Sequence, residues 1–241
     1  MKSSIPPLKN GSASLSERVY KHLRDLILAF EMKPGEPVSE KQISEALRVS
    51  RTPVREALAK LVADHLVDVY PQRGTYIAPL RLEDLERSQF MREALEIALV
   101  QRVSQMSDRS KLTTKLRAEI DLQRTLAQLN DSRRFYESDE NFHRLIAEHA
   151  GLPDVWDEIS RVKLCFDRFR KIALSTGESN VDEITDQHSE IVHAIESRDA
   201  SAAANNMRLH LRRIMDLIYG VAAIKPEYFE DPESFARKRV L

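Results

Sequence analysis

Ser50-Arg51-Thr52-Pro53-Val54-Arg55-Glu56-Ala57-Leu58 is the stretch on which the fold of this chain turns. Thr52 is a short polar cap residue followed by proline. Proline lacks the N–H that a first helical turn leaves unpaired anyway, so the pair predicts a helix starting here. Val54, Leu58, Leu61, Val62 and Leu66 then fall on one helical face. Arg51 and Arg55, four apart, share another face close to the helix start.

The flanking sequence places that helix third in a small unit. Upstream, Val19, Leu23, Leu26, Ile27 and Phe30 recur at helical spacing, and Pro34-Gly35 breaks the chain. Ser39-Glu40-Lys41-Gln42 reads as a capping box opening a short second helix that buries Ile43 and Leu47. Downstream the period changes to two: Val67 and Val69 alternate around Asp68. Pro71-Gln72-Arg73-Gly74 turns the chain, and Thr75-Tyr76-Ile77 returns as a second strand. Helix, capped helix, arginine-bearing helix and hairpin together predict a winged helix-turn-helix over residues 15–79, preceded by a flexible arm at 1–14.

This pattern suits double-stranded DNA. A third helix laid in the major groove offers its N-terminal residues to base edges, and arginine pairs bidentately with guanine. Arg51 and Arg55 fit that role, Ser50 and Thr52 carry hydroxyls for phosphates, Lys41 reaches a phosphate, and Arg73-Gly74 forms the wing tip. Residues 15–80 hold 10 basic and 9 acidic residues, so the site must be a local one.

The stretch Pro34-Gly35, Val38-Ser39-Glu40, Val49 through Leu58, Leu61 and Gly74 resembles the DNA-binding domain of the GntR superfamily. The resemblance implies a homodimer reading a palindromic operator, with Lys41, Arg51, Arg55, Arg73 and Gly74 contacting DNA. Lys41 stands where the family often has arginine, keeping the charge without the guanidinium fork.

From Glu83 to about Val221 the sequence shows amphipathic helices and no convincing strand. Six are expected, at 84–106, 109–130, 132–150, 153–175, 180–197 and 199–221, as an antiparallel bundle over 83–222 with a polar tail at 223–241. The fold class is therefore mainly α. Asp139 and His143 are spaced i, i+4 on one of these helices; His188 lies near Ile184 and Ile191, and His210 between Leu209 and Leu211. Spacing does not show that residues on separate helices meet, but one carboxylate and three imidazoles converging from three helices would suit Zn²⁺, Ni²⁺, Mn²⁺ or Fe²⁺, zinc being the default. Each histidine taken singly reads more readily as a structural or surface residue than as a ligand.

This tract resembles the FCD ligand-binding domain of the FadR-type branch of the same superfamily. Arg92-Glu93-Ala94-Leu95-Glu96, Asp139-Glu140-Asn141-Phe142-His143, Gln187-His188, Ala194-Ile195, Asp199 and His210 carry the likeness. It implies that Asp139, His143, His188 and His210 hold a metal, and that the effector is a small organic or sugar acid. Gln187 departs from a frequent glutamate, and Arg198 from a common glycine. Arg92 lies beside Leu95 and Leu99: either it snorkels to the surface, or it points inward and clamps an effector carboxylate. On this reading the protein is a ligand-responsive repressor of a catabolic operon and not an enzyme.

Bulk properties agree. The net charge is −1 from 37 basic and 38 acidic residues, so no global field steers nucleic acid. The single cysteine, Cys165, cannot form an internal disulfide, which fits a cytoplasmic setting, and it reads as a buried small apolar residue. The sequence shows no membrane-spanning run and no signal peptide at its start. A metal-dependent hydrolase is the rival from another class, and the arginine helix and wing speak against it. A ligand-free structural dimer would favour apolar residues at 139, 143, 188 and 210, where none stands.

Overall fold

The computed structural model describes residues 5–8, 11–176 and 181–233. Its contacts divide the chain into two compact units. One comprises Met1–Leu85, Leu164–Thr176 and Tyr219–Leu241; the other comprises Glu86–Lys163 and Gly177–Ile218.

The first unit begins with α1 (Leu15–Leu28), capped by Ser14 Oγ accepting from the Glu17 amide. The strand β1 (Pro37–Val38) leads to α2 (Glu40–Leu47), and Ser39 Oγ accepts from Gln42 N as the capping box requires. Arg48, with φ +56°, turns the chain toward α3 (Arg51–Ala63). That helix starts at Arg51 with Ser50 at its cap, so Thr52 is not the cap and Pro53 is not the first helical residue. Proline still lies within the first turn, where N–H groups have no intrahelical acceptor, so it breaks no bond there.

β2 (Val67–Tyr70) and β3 (Gly74–Ile77) form the expected hairpin, with Val69 opposite Thr75 and Tyr70 opposite Gly74. The sheet has a third strand, in the order β1-β3-β2. Val19, Leu23, Ile27, Ile43, Val54, Leu58, Leu61 and Ile77 close over one core. Val62, read as part of the buried face of α3, is exposed; Phe30 lies past the end of α1, with φ +59°. The unit also takes in α8 (Leu164–Thr176), whose Leu164 joins the same core and whose buried Arg168 donates to the Ala78 carbonyl at 2.6 Å.

The second unit holds most of α4 (Leu82–Gln105), then α5 (Ser110–Gln128), α6 (Ser132–His149), α7 (Pro153–Val162), α9 (Val181–Glu196) and most of α10 (Ala200–Ile224). α5 packs against α6 and α9, and α6 against α7. Leu99, Val103, Leu116, Ile120, Phe142, Ile146, Ile191, Ile195, Met207 and Leu211 form its core. Gly151, at φ +74°, ends α6, and Pro153 opens α7, an asymmetry set by backbone chemistry. The single helix expected at 153–175 is two, broken at Lys163. Ser88 Oγ donates to the Val162 carbonyl at 2.5 Å, giving a backbone acceptor at the break a tertiary partner, and the buried Lys163 side chain pairs with Glu140 at 2.6 Å.

Candidate metal centre and nucleic-acid interface

Three helices of the second unit bring the sequence-predicted ligands together. α6 carries Asp139 and His143 one turn apart, α9 carries His188, and α10 carries His210. All four are buried, and one donor atom from each lies within 4.8 Å of the others. His210 Nε2 is 3.2 Å from His143 Nε2 and 3.4 Å from His188 Nε2, and Asp139 Oδ1 is 3.5 Å from His188 Nε2.

The other nitrogen of each ring meets an oxygen. His188 Nδ1 is 2.9 Å from Gln123 Oε1, and His210 Nδ1 is 3.1 Å from Gln187 Oε1. His143 Nδ1 is 2.5 Å from Glu96 Oε2. An oxygen beside Nδ1 selects the tautomer protonated there, which leaves Nε2 as a lone pair. Three lone pairs facing one point repel one another unless a cation lies between them. These residues therefore fit a divalent metal, with Glu96, Gln123 and Gln187 orienting the rings from behind.

The electrostatics agree. Burial, then the neighbouring His188 and His143, holds His210 well below its ordinary value, so its imidazole is neutral and able to ligate. Burial raises the Glu96 carboxyl, but Arg92 and His143 outweigh that and hold it at about 2. Phe142 stacks on His188, centroids 3.9 Å apart, fixing that ring from its apolar side.

Arg92 does not snorkel. It is 1% exposed, and its Nε donates to Glu96 Oε1 at 2.5 Å. Its Nη2 is buried with no hydrogen-bond partner among the described residues. Arg92, Glu96 and His143 thus form a chain of contacts ending at one ring of the Asp139, His143, His188 and His210 cluster.

In the first unit Lys41, Ser50, Arg51, Thr52, Arg55, Arg73 and Gly74 are all exposed. They occupy the start of α2, the start of α3 and the wing turn. Arg55 Nε is engaged by Glu40 Oε2 at 2.7 Å, whereas Arg51 and Arg73 have no ion-pair partner among the described residues. Gly74 has φ +114°, and a Cβ there would stand 3.6 Å from the Tyr76 ring.

Residues 15–77 match the family described as bacterial regulatory proteins, gntR family, and residues 89–213 match the FCD domain.

The chain belongs to the GntR family.

Curated relatives align with it over most of their length. The HTH-type transcriptional repressor RspR of Escherichia coli K12 is 30% identical over 92% of this chain and 96% of its own. A probable D-xylose utilization operon repressor of Paenarthrobacter nicotinovorans is 28% identical over 73% of this chain and 76% of its own. Among solved structures, E. coli McbR/YncC superposes with a TM-score of 0.66 at 19% identity, covering 86% of this chain and 98% of that one, a likeness of fold. This GntR chain is accordingly a DNA-binding transcription regulator of the GntR/FCD type and not an enzyme.

Sequence reasoning did not single out Gln123, a buried glutamine with nothing local to mark it, and it took in Glu96 and Gln187 only as family-like residues. The signal for Glu96 was its spacing of four from Arg92. No comparable signal marked Gln123, whose partner is 65 residues away.

Proposed function

We propose that this regulator is a cytoplasmic homodimeric repressor of a catabolic operon, whose FCD domain senses a small organic or sugar acid at a centre holding one divalent metal, zinc by default. Residues 15–79 read a palindromic operator through Lys41, Ser50, Arg51, Thr52, Arg55, Arg73 and Gly74; residues 83–222 sense the effector.

The observation that carries this reading is the convergence of the His143, His188 and His210 Nε2 atoms beside Asp139 in a buried setting. Bound there, a divalent ion supplies a Lewis-acid anchor for an anionic oxygen. Arg92 supplies the second anchor: it is buried, and Nη2 is unspent while Nε is held by Glu96. A cation and a guanidinium together favour a carboxylate over a neutral sugar.

Elemental analysis of the purified protein should find close to one divalent metal per chain. A thermal-shift screen of small carboxylates on metal-loaded protein should return a hit that raises the melting temperature. That hit should lose binding in calorimetry when the metal is stripped, and again in Arg92→Ala. Full metal retention in the His143→Ala, His188→Ala double variant would overturn the metal assignment. Undiminished ligand binding in both the stripped protein and Arg92→Ala would place the effector elsewhere.

A further inference from the structure

In sequence the C-terminal tail is a polar run with two prolines that reads either as packed locally or as loose. In the structure its described part is seated within the DNA-reading unit. Leu80, just past the wing, forms a parallel bridge with Phe229. Leu80 N donates to the Tyr228 carbonyl at 2.8 Å, and Glu230 N donates to the Leu80 carbonyl at 3.1 Å. Phe229 is buried, and the Tyr228 ring lies 5.2 Å from Phe30, the residue that follows α1 and its loop turn.

Next to this bridge stands Arg81. Its guanidinium meets two carboxylates at once. Nη1 and Nη2 donate to Asp68 Oδ1 and Oδ2 at 3.2 and 2.6 Å, a bidentate fork. Nε and Nη2 donate to Glu230 Oε2 and Oε1 at 2.8 and 3.1 Å. The Arg81 side chain is 15% exposed, so these bonds are partly shielded from water. Asp68 lies on β2 opposite Tyr76 of β3, and β3 begins at Gly74 of the wing tip. One arginine therefore ties the tail to the strand pair that carries Arg73 and Gly74. From the other direction, Arg168 of α8 holds the Ala78 carbonyl.

We propose that the segment Pro226–Asp231 is a working part of the DNA-reading unit and that Arg81 is the positioning residue through which it sets the wing. Arg81 touches no base or phosphate in this reading; it acts through Asp68 on the angle at which Arg73 is presented. Two features separate this from mere tail packing. The fork on Asp68 is bidentate, which fixes orientation as well as distance, and Glu230 takes up the remaining Nε of the same group. With Glu230 removed, the fork on Asp68 remains but the tail's hold on it, through Nε and Nη2, is lost. The tail is the direct chain continuation of α10, the helix that carries His210. The proposal rests on the DNA-binding reading and not on the metal centre.

Three variants of the full chain test it: Glu230→Gln, Arg81→Gln and a stop after Lys225. Each is compared with wild type by backbone amide exchange resolved along the chain, by titration with a mixed-sequence DNA duplex at several salt concentrations, and by metal content. Amides of β2 and β3 should exchange about tenfold faster in each variant, with α5 unchanged. Duplex affinity should fall about tenfold, with a salt slope flatter by about 1 because Arg73 no longer meets its phosphate. Metal content should match wild type. Wing exchange at the wild-type rate in Glu230→Gln and Arg81→Gln would overturn the proposal. So would faster wing exchange with unchanged duplex affinity, which would make the clamp irrelevant to DNA. A uniform rise in exchange over both units with loss of metal would reduce the tail to a general stabiliser and overturn it as well. If wild type itself fails to bind the duplex, the DNA reading fails, while the exchange measurement still judges the clamp.

Discussion

Gln123 bears on the proposed metal centre without being one of its proposed ligands. Its Oε1 lies 2.9 Å from His188 Nδ1 and fixes which ring nitrogen faces inward. Gln123→Leu keeps volume and removes the acceptor, so metal affinity should fall about 10–100-fold in a chelator competition, the usual scale for an orienting partner. Unchanged affinity would mean that packing against Phe142 alone sets the ring. On the DNA side the two α3 arginines are not equivalent. Arg51 is open, and Arg51→Ala should cost roughly 1–3 kcal/mol of operator affinity and relax sequence preference. Arg55 must first leave Glu40, an exposed pair worth up to about 1 kcal/mol. Glu40→Gln should therefore tighten DNA binding by up to about fivefold at low salt, as read by fluorescence anisotropy. Weaker binding in Glu40→Gln would show that the pair itself presents Arg55 to the groove.

Elements were legible in the sequence where a local rule forms them. The capping serine of α2 and the hairpin turn at 71–74 came from residues a few positions apart, and so did the i, i+4 pairing of Asp139 with His143. The parts that were not legible depend on distant partners. β1 is two residues long and starts with proline, too short for alternation to register; it exists because β3 offers it an edge. The break between α7 and α8 falls at a lysine, a good helix former, beside tertiary contacts to Glu140 and Ser88 that no local pattern announces. The tail is seated by a residue 149 positions away. The wing turn is the element where local chemistry is strictest. At φ +114° Gly74 occupies backbone space that a side chain adopts only under strain, so Gly74→Ala should cost about 1–3 kcal/mol of wing stability. Faster exchange of β2 and β3 amides with an intact α5 is the expected signature. Wild-type exchange there would mean that the turn relaxes to another conformation at no cost.

At the scale of the whole chain, the two units should answer to different levers. A divalent ion that binds Asp139, His143, His188 and His210 stabilises only the unit that contains them, because folded ligands hold it far better than an open chain does. Acid acts on both. Glu17 is held below its ordinary value chiefly by its hydrogen bond to Lys60 in the first unit. Glu93 and Glu196 are held down in the second, chiefly by hydrogen bonds to Arg212 and Arg117. A carboxyl whose folded value lies below its unfolded one binds fewer protons when folded. Its stabilisation is therefore complete above about pH 4.5, the ordinary glutamate value, and is lost as pH falls through the lowered folded value. Exchange measured unit by unit should then separate the two effects. Chelation at neutral pH should speed exchange in α5, α6 and α9 and leave α1 and α3 near their starting rates. Acidification below about pH 4.5 should, after correction for the pH dependence of intrinsic exchange, destabilise α1 and α3 together with the bundle. Glu17→Gln should blunt the acid response of α1 and α3 alone, since Lys60 then gains nothing from ionisation. If chelation loosened α1 and α3 as strongly as α6, the ion would be stabilising the chain as a single cooperative unit, and the metal centre would set the stability of the DNA-reading half directly.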